Sequence, residues 1–379
     1  MKLISTRILF ASLLLLVLII PTVNATTVLF FGDTQISHNE GWTRDFPGNT
    51  TNVLENVTTI VSENYEFEYA WALGDMVSHA SIESNEEMDE VWVAWWKNWE
   101  KIESKTKNKG FNTLIGNHDT CWDLNNNNRG VPLYYTYAIG NILFIVLSDL
   151  DTSGNEYNNQ TGPGNLIFNN IDEIKYCNTT VQENQDKNII ILTHQATRGT
   201  TQNSDCCSNF IKDPEWVEMF RYFDKNNIHV DAHIHGHTHC GYPDDELIVE
   251  RYNCTFIDAS AGGSGSCDES QNFTGHVMFL NLTEGSDIAR LDMLDITNYK
   301  NPTDWVDWSD NYGWQTYPRD LNLTYHFSLY TLGEQEIPSA SMDQVSFFAG
   351  LVLGLSFTTI IGIWNFVKRK NEPKKEGTK

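Results

Sequence analysis

Short apolar runs that stop on Gly, Asp, Asn or His recur along this chain: "TTVLFFGDTQ", "YAWALGDM", "FNTLIGNHD", "NILFIVLSDLD", "NIIILTHQ" and "IHVDAHIHGH". Runs of about 4–8 apolar residues without alternation suit strands buried on both faces. Helical patterns lie between them. In "MDEVWVAWWKNWEKI", Met88, Val91, Trp92, Trp95, Trp96, Trp99 and Ile102 share one stripe, which reads as core packing against a sheet. "PEWVEMFRYFDKNN" predicts a second helix, with Pro214 suited to its first turn. Strands alternating with helices, and carrying polar residues at their ends, predict a single α/β domain over residues 26–297. Its site is expected at the carboxyl edge of the sheet. Beyond Asp295 the chain turns rich in Trp, Asp and Pro, and residues 298–344 read as an irregular extension.

Each end carries an apolar segment. Residues 1–25 read as a secretory signal peptide: Lys2 and Arg7, an apolar stretch from Ile8 to Ile20, then the small residues of "TVNA". Residues 345–367 hold no charge. At about 1.5 Å per residue they make roughly 35 Å of helix, enough to cross a bilayer. Lys368, Arg369 and Lys370 follow, so residues 368–379 read as a basic cytoplasmic tail. The expectation is a single-pass type I membrane protein with residues 26–344 extracellular or in an endomembrane or lysosomal lumen. Within residues 26–344, eight Asn-x-Ser/Thr sequons (Asn49, Asn56, Asn159, Asn178, Asn253, Asn272, Asn281, Asn322) predict N-linked glycans. The seven cysteines should mostly pair in an oxidising compartment, the odd count leaving at least one over. The net charge of −25 and the lack of a basic stripe argue against duplex nucleic acid as a partner.

The polar residues that close the runs are Asp33 and Gln35, Asp75, Asn117 and His118, His194, then His237 and His239. Carboxylate and amide oxygens together with imidazoles suit manganese, iron or zinc. One carboxylate shared between two ions would let a single water be activated between them. "GDTQ", "GDMV", "GNHD", "TH" and "GHTH" stand in the order found in the calcineurin-like metallophosphoesterase superfamily, which this sequence resembles over roughly residues 27–290. The resemblance implies a two-sheet sandwich flanked by helices, an αββα arrangement, with a dimetal site at the sheets' edge. It implies Asp33 and His239 as ligands of the first metal, Asp75 as the bridge, and Asn117, His194 and His237 as ligands of the second. His118 would be the leaving-group acid, with Asp119 orienting its imidazole. The implied substrate is a phosphate ester, monoester or diester, cleaved by in-line attack of metal-bound hydroxide.

Several residues keep two readings. Gln35 stands where most of the family has histidine; it is either a weak or water-linked ligand or a hydrogen-bond partner of the bound water. His233 and His235 read as packed, hydrogen-bonded residues or donors behind the ligands. His79 either meets substrate or caps a loop. Cys121 and Cys240 read as disulfide partners at the mouth of the site or as extra ligands, and the adjacent Cys206 and Cys207 should reach different partners. The alternative for the whole chain is a surface glycoprotein that uses the fold for binding or adhesion without turnover.

Overall fold

The computed structural model describes residues 25–36, 50–77, 84–119, 129–149, 171–201, 204, 210–211, 213–238, 247–259, 276–283, 288–295 and 323–328. Two mixed sheets of six strands each make up its centre. The first contains β1 (Ala25–Phe31), β2 (Tyr69–Leu73) and β3 (Thr113–Leu114), mutually parallel, and continues from β1 through antiparallel β10 (His276–Thr283), β11 (Ile288–Asp295) and β12 (Leu323–Ser328). In the second, β5 (Ile142–Leu147), β6 (Asn188–Leu192), β7 (Ala232–His235) and β9 (Cys254–Asp258) are parallel. Its edges are antiparallel β4 (Tyr134–Ile139) and β8 (Ile248–Arg251).

Side-chain alternation along each strand divides the core into three layers. Leu29 and Phe31 of β1 face helices α1 (Thr50–Asn64) and α2 (Asn85–Glu103), while Val28 and Phe30 face the other sheet. In the second sheet, Phe144 and Val146 point into the space between the sheets. Leu143, Ile145 and Leu147 point to α3 (Ile171–Glu183) and α4 (Pro214–Asn226). The central parallel strands are thus covered on both faces, which is why they read as continuous apolar runs, whereas the edge strands β4 and β8 keep exposed residues. The tryptophan stripe of α2 is core as expected: Met88, Val91, Trp92, Trp95, Trp96, Trp99 and Ile102 are all buried. Ser84 caps the start of α2 by accepting from the Glu87 N–H, and Asp213 with Pro214 opens α4. The left-handed Asn227 (φ 55°) closes α4.

Three expectations change or fall outside the described residues. The extension at 298–344 is not wholly irregular: residues 323–328 add a strand to the first sheet by pairing with β11. Residues 1–24 and 345–379 lie outside the described residues; among those described, no helix is long and apolar enough to cross a membrane. Cys177 and Cys254 are free thiols, not disulfide partners, enclosed in the apolar layer between the second sheet and its helices. Burial raises both thiol pKa values; the other cysteines lie outside the described residues. The sequon residue Asn281 is hydrogen-bonded across the first sheet: its Nδ2 donates to Asp292 Oδ2 at 2.8 Å while its Oδ1 accepts from Thr27 Oγ1 at 2.8 Å.

Candidate metal centre

The carboxyl ends of β1, β2 and β3 meet those of β6 and β7, so the loops after five parallel strands converge. The His194 Nδ1–H, just past β6, donates to the Leu73 carbonyl at the end of β2 at 2.8 Å. The backbone N–H of His237, after β7, donates to Asp33 Oδ2 at 2.8 Å. Such close approach leaves no room for Cβ atoms. A methyl on Gly116 would lie 2.3 Å from the Asp75 nitrogen, and one on Gly236 would lie 2.5 Å from Asp33 Oδ2. The glycines of "GNHD" and "GHTH" are therefore there to let one donor-bearing loop lie against another.

Four side-chain atoms from both sheets face one point. His194 Nε2 lies 2.9 Å from Asn117 Oδ1, 3.2 Å from Asp75 Oδ1 and 3.0 Å from His237 Nδ1. Candidate ligand atoms of Asp75, His194 and His237 all lie within 4.8 Å of one another. A carbonyl can only accept, so Leu73 fixes the His194 proton on Nδ1 and turns the Nε2 lone pair toward two oxygens that also carry lone pairs. Such a cluster is favourable only around positive charge. Burial opposes charge on His194, yet Asp75, with Asp33 and Asp149, holds its pKa well above the ordinary imidazole value. Burial alone would raise Asp75, but the neighbouring His194 and His118 keep its carboxyl well below the usual range. The donor set and the demand for positive charge fit a metal ion.

The backbone is strained at the same place. Asp33 (φ 43°), Gln35 (φ 41°), Asp75 (φ 49°) and His237 (φ 70°) adopt the left-handed region; they are half of the non-glycine residues with positive φ among those described. Neighbouring loops hold them there. Gln35 N donates to the Asp75 carbonyl at 2.8 Å, and Gln35 Nε2 donates to Asp75 Oδ2 at 2.9 Å. With the amide nitrogen on the carboxylate, any direct coordination by Gln35 would fall to its oxygen. Thr34 Oγ1 donates to the Met76 carbonyl at 2.8 Å and accepts from Trp95 Nε1 at 3.0 Å, which ties the same two loops to α2.

His118 sits at the rim, its side chain 17% exposed and its Nε2 3.9 Å from Asp75 Oδ2. Its backbone N–H donates to Asp75 Oδ1 at 2.7 Å. Asp119 does not orient this imidazole. Its Oδ1 accepts from Val77 N at 3.0 Å and its Oδ2 from Gly116 N at 2.8 Å, so the carboxylate clamps the β2 and β3 loops together. Burial, with the nearby Asp75 charge, pushes its pKa well above the usual carboxylate range. His239 and His79 lie outside the described residues. His233 and His235 are fully buried and turn to Thr193, Thr197 and Thr201. Burial holds His233 well below the ordinary imidazole pKa and brings His235 down to about 4, so both are neutral.

Two of the buried acids that the sequence did not single out have raised pKa values. Asp149 follows β5, accepts from Gln195 Nε2 at 3.0 Å, and is pushed up to about 7 chiefly by burial. Glu173, on the buried face of α3, has no hydrogen-bond partner for either carboxylate oxygen among the described residues and is pushed up to about 9, again chiefly by burial. The signals were present: an acid closing the run "ILFIVLSD", and a glutamate beside the buried positions of α3.

Several solved structures resemble the chain at low identity. Purple acid phosphatase PPD1 from yellow lupin (Lupinus luteus) seeds is 14% identical, with 72% of this chain and 52% of that one covered and a TM-score of 0.45. The chain thus spans about half the length of the lupin protein. Vacuolar Protein Sorting 29 from Cryptosporidium parvum is 13% identical, with coverages of 80% and 98% and a TM-score of 0.36. For the NAD nucleotidase NadN of Haemophilus influenzae the figures are 12%, 69%, 53% and 0.37. No curated protein sequence matches. The model of one family, calcineurin-like phosphoesterase, matches residues 26–241. That span exceeds half of the chain and takes in every donor from Asp33 to His239, and the protein therefore belongs to the calcineurin-like phosphoesterase family.

Proposed function

We propose that this chain is a metal-dependent hydrolase of phosphate esters that works outside the cytosol on a membrane anchor. The observation that carries the reading is the convergence of Asp75, Asn117, His194 and His237 on one point, with the His118 imidazole at its rim. Two ions of the manganese, iron or zinc class would be held by Asp33, His239 and the Gln35 oxygen on one side and by Asn117, His194 and His237 on the other, with Asp75 between. When bound, they supply Lewis acidity toward the phosphoryl oxygens and screen the charge met by an attacking water.

The chain's own residues do the rest. Asp33 is kept from swinging away by the His237 N–H, and Asp75 by the His118 N–H and the Gln35 amide. His194 keeps one tautomer because Leu73 accepts its Nδ1 proton. The partly exposed His118 is the group placed to hand a proton to the leaving oxygen. The export signal at residues 1–25 and the span at 345–367, flanked by Lys368 to Lys370, support the extracellular or lumenal placement.

The test is turnover of aryl phosphate monoesters and diesters by the purified full chain loaded with Mn²⁺. The preferred ester names the substrate class. Saturable Mn²⁺ binding without turnover of either would instead favour a binding or adhesion glycoprotein. Removal of residues 345–379 should release a soluble chain that keeps its activity. A released, folded, Mn²⁺-loaded chain without activity would place the span or the lipid surface in catalysis.

A further inference from the structure

The histidines at 233 and 235 lie on β7, outside the set of donors, yet neither is idle packing. Every hydrogen bond around His233 has a determined direction. The Gln195 carbonyl can only accept, so the Thr193 hydroxyl proton is committed to it at 2.6 Å. Thr193 Oγ1 must therefore accept from His233 Nε2–H at 2.7 Å. A neutral imidazole then offers a lone pair at Nδ1, which receives the Thr197 hydroxyl proton at 3.1 Å. Thr197 Oγ1 in turn accepts from the indole N–H of Trp216 at 2.8 Å. The chain runs one way, from α4 through Thr197, His233 and Thr193 to the Gln195 carbonyl, and Thr193, Thr197, His233 and Trp216 are all buried.

The last link closes a turn, Thr193–Gln195, whose central residue is His194. The same turn is tied to β7 by Thr193 N donating to the Ile234 carbonyl at 3.1 Å, and to Gly236, whose N–H donates to the His194 carbonyl at 3.0 Å. Phe220 and Phe256 pack against the His233 ring, at centroid distances of 5.9 and 5.5 Å. We infer that His233 is a positioning residue: a strut of fixed tautomer that sets the Thr193–Gln195 turn and so aims His194 Nε2 at the metal centre. His235 makes a second, looser tie, its Nδ1–H donating to the Gly236 carbonyl at 2.9 Å while Nε2 accepts from Thr201 Oγ1 at 2.8 Å. The inference rests on the metal-centre reading above.

The test measures Mn²⁺ affinity by chelator competition, and Tm alongside it, on the full chain and three variants: His233→Phe, His233→Gln and Thr193→Val. His233→Phe keeps the bulk and loses both bonds. His233→Gln keeps one donor and one acceptor. Thr193→Val preserves the volume and removes the hydroxyl that joins His233 Nε2 to the Gln195 carbonyl. The expected result is a loss of about tenfold in Mn²⁺ affinity in His233→Phe and in Thr193→Val, the scale seen for partners behind metal ligands, with most of it recovered in His233→Gln. A purely structural role would lower Tm and leave the affinity alone, so affinities within about twofold of the unmodified chain overturn the inference. If His233→Phe does not fold, Thr193→Val decides by the same criterion. An unmodified chain that shows no saturable Mn²⁺ binding would sink the metal-centre reading and this inference with it, an outcome distinct from binding that the variants fail to change.

Discussion

On the side of the first sheet, the candidate ligands are oxygens held mainly by N–H groups. His237 N donates to Asp33, and His118 N and the Gln35 amide donate to Asp75. On the side of the second sheet they are imidazoles, and the groups behind them are neutral: a carbonyl for His194, and threonine hydroxyls with a buried histidine for its turn. The contrast follows from charge. A buried carboxylate stays ionised only if N–H donors or cations face it, whereas an imidazole ligand must stay neutral and needs only a partner that fixes its tautomer. Both sides nonetheless end in the same device, an indole N–H from an outer helix donating to a loop threonine: Trp95 to Thr34 on one side, Trp216 to Thr197 on the other.

Replacing the charge that both sides share should have the largest effect. Asp75→Asn should abolish turnover and lower Mn²⁺ affinity at both positions by about 100-fold or more, beyond the about 10–100-fold usual for partners behind ligands. Metal content by elemental analysis checks it, and one position left fully loaded would mean that Asp75 is not the bridge. His118→Asn should leave metal content unchanged and slow turnover about 10²–10⁴-fold. That loss should shrink on esters with good leaving groups, which need no proton; equal losses on good and poor leaving groups would remove His118 as the acid.

The third prediction concerns the neutral side. Glu173 keeps its proton in the folded state up to about pH 9, whereas the unfolded chain loses it near the ordinary value of 4.5. The folded state binds more protons between those values, so stability falls as pH rises through that window, by at most about 1.4 kcal/mol per pH unit for this group. Asp149 and Cys177 are its titratable neighbours. Glu173→Gln should flatten the dependence between about pH 5 and 9 in denaturant melts. A slope equal to that of the unmodified chain would show that Glu173 ionises inside the fold.

The smallest effects compare the two indoles. Trp95→Phe and Trp216→Phe each remove one buried N–H donor and some volume, and each should cost about 1–3 kcal/mol of stability. If the loops are as separate as their bonding indicates, the two losses should add within about 0.5 kcal/mol in the double variant. A larger coupling would mean that the oxygen side and the imidazole side share one network.

Much of this is legible in the sequence. The runs ending in "GD", "GNHD", "TH" and "GHTH" located the strands and most donors because a buried parallel strand must be apolar throughout and can carry chemistry only where it ends. The tryptophan stripe of α2 was equally readable, since helical spacing alone puts those residues on one face. The strand at 323–328 was missed: its partner β11 begins 35 residues earlier in sequence, and its alternating Leu323, Tyr325 and Phe327 lack the continuous apolar run that marked the buried strands. Nor were the bonds of Asn281 readable, because Asp292 and Thr27 reach it only across the sheet.

Sequence alone determined the inventory: which side chains can bind metal, that strand ends carry them, and that glycine precedes them. Only the tertiary structure decided what each atom faces. Asp119 proved a clamp rather than an imidazole guide because its two oxygens meet N–H groups from two loops, one of them 42 residues away. His233 became a strut because β7 runs beside β6, bringing Thr193, 40 positions distant, to its ring. Hydrogen bonds act over about 3 Å and depend on direction, so they are set by how separate strands lie against each other and by which way each loop turns. No local pattern of residues encodes that, and the left-handed turns at Asp33, Asp75 and His237 arise where those packed loops leave no other path.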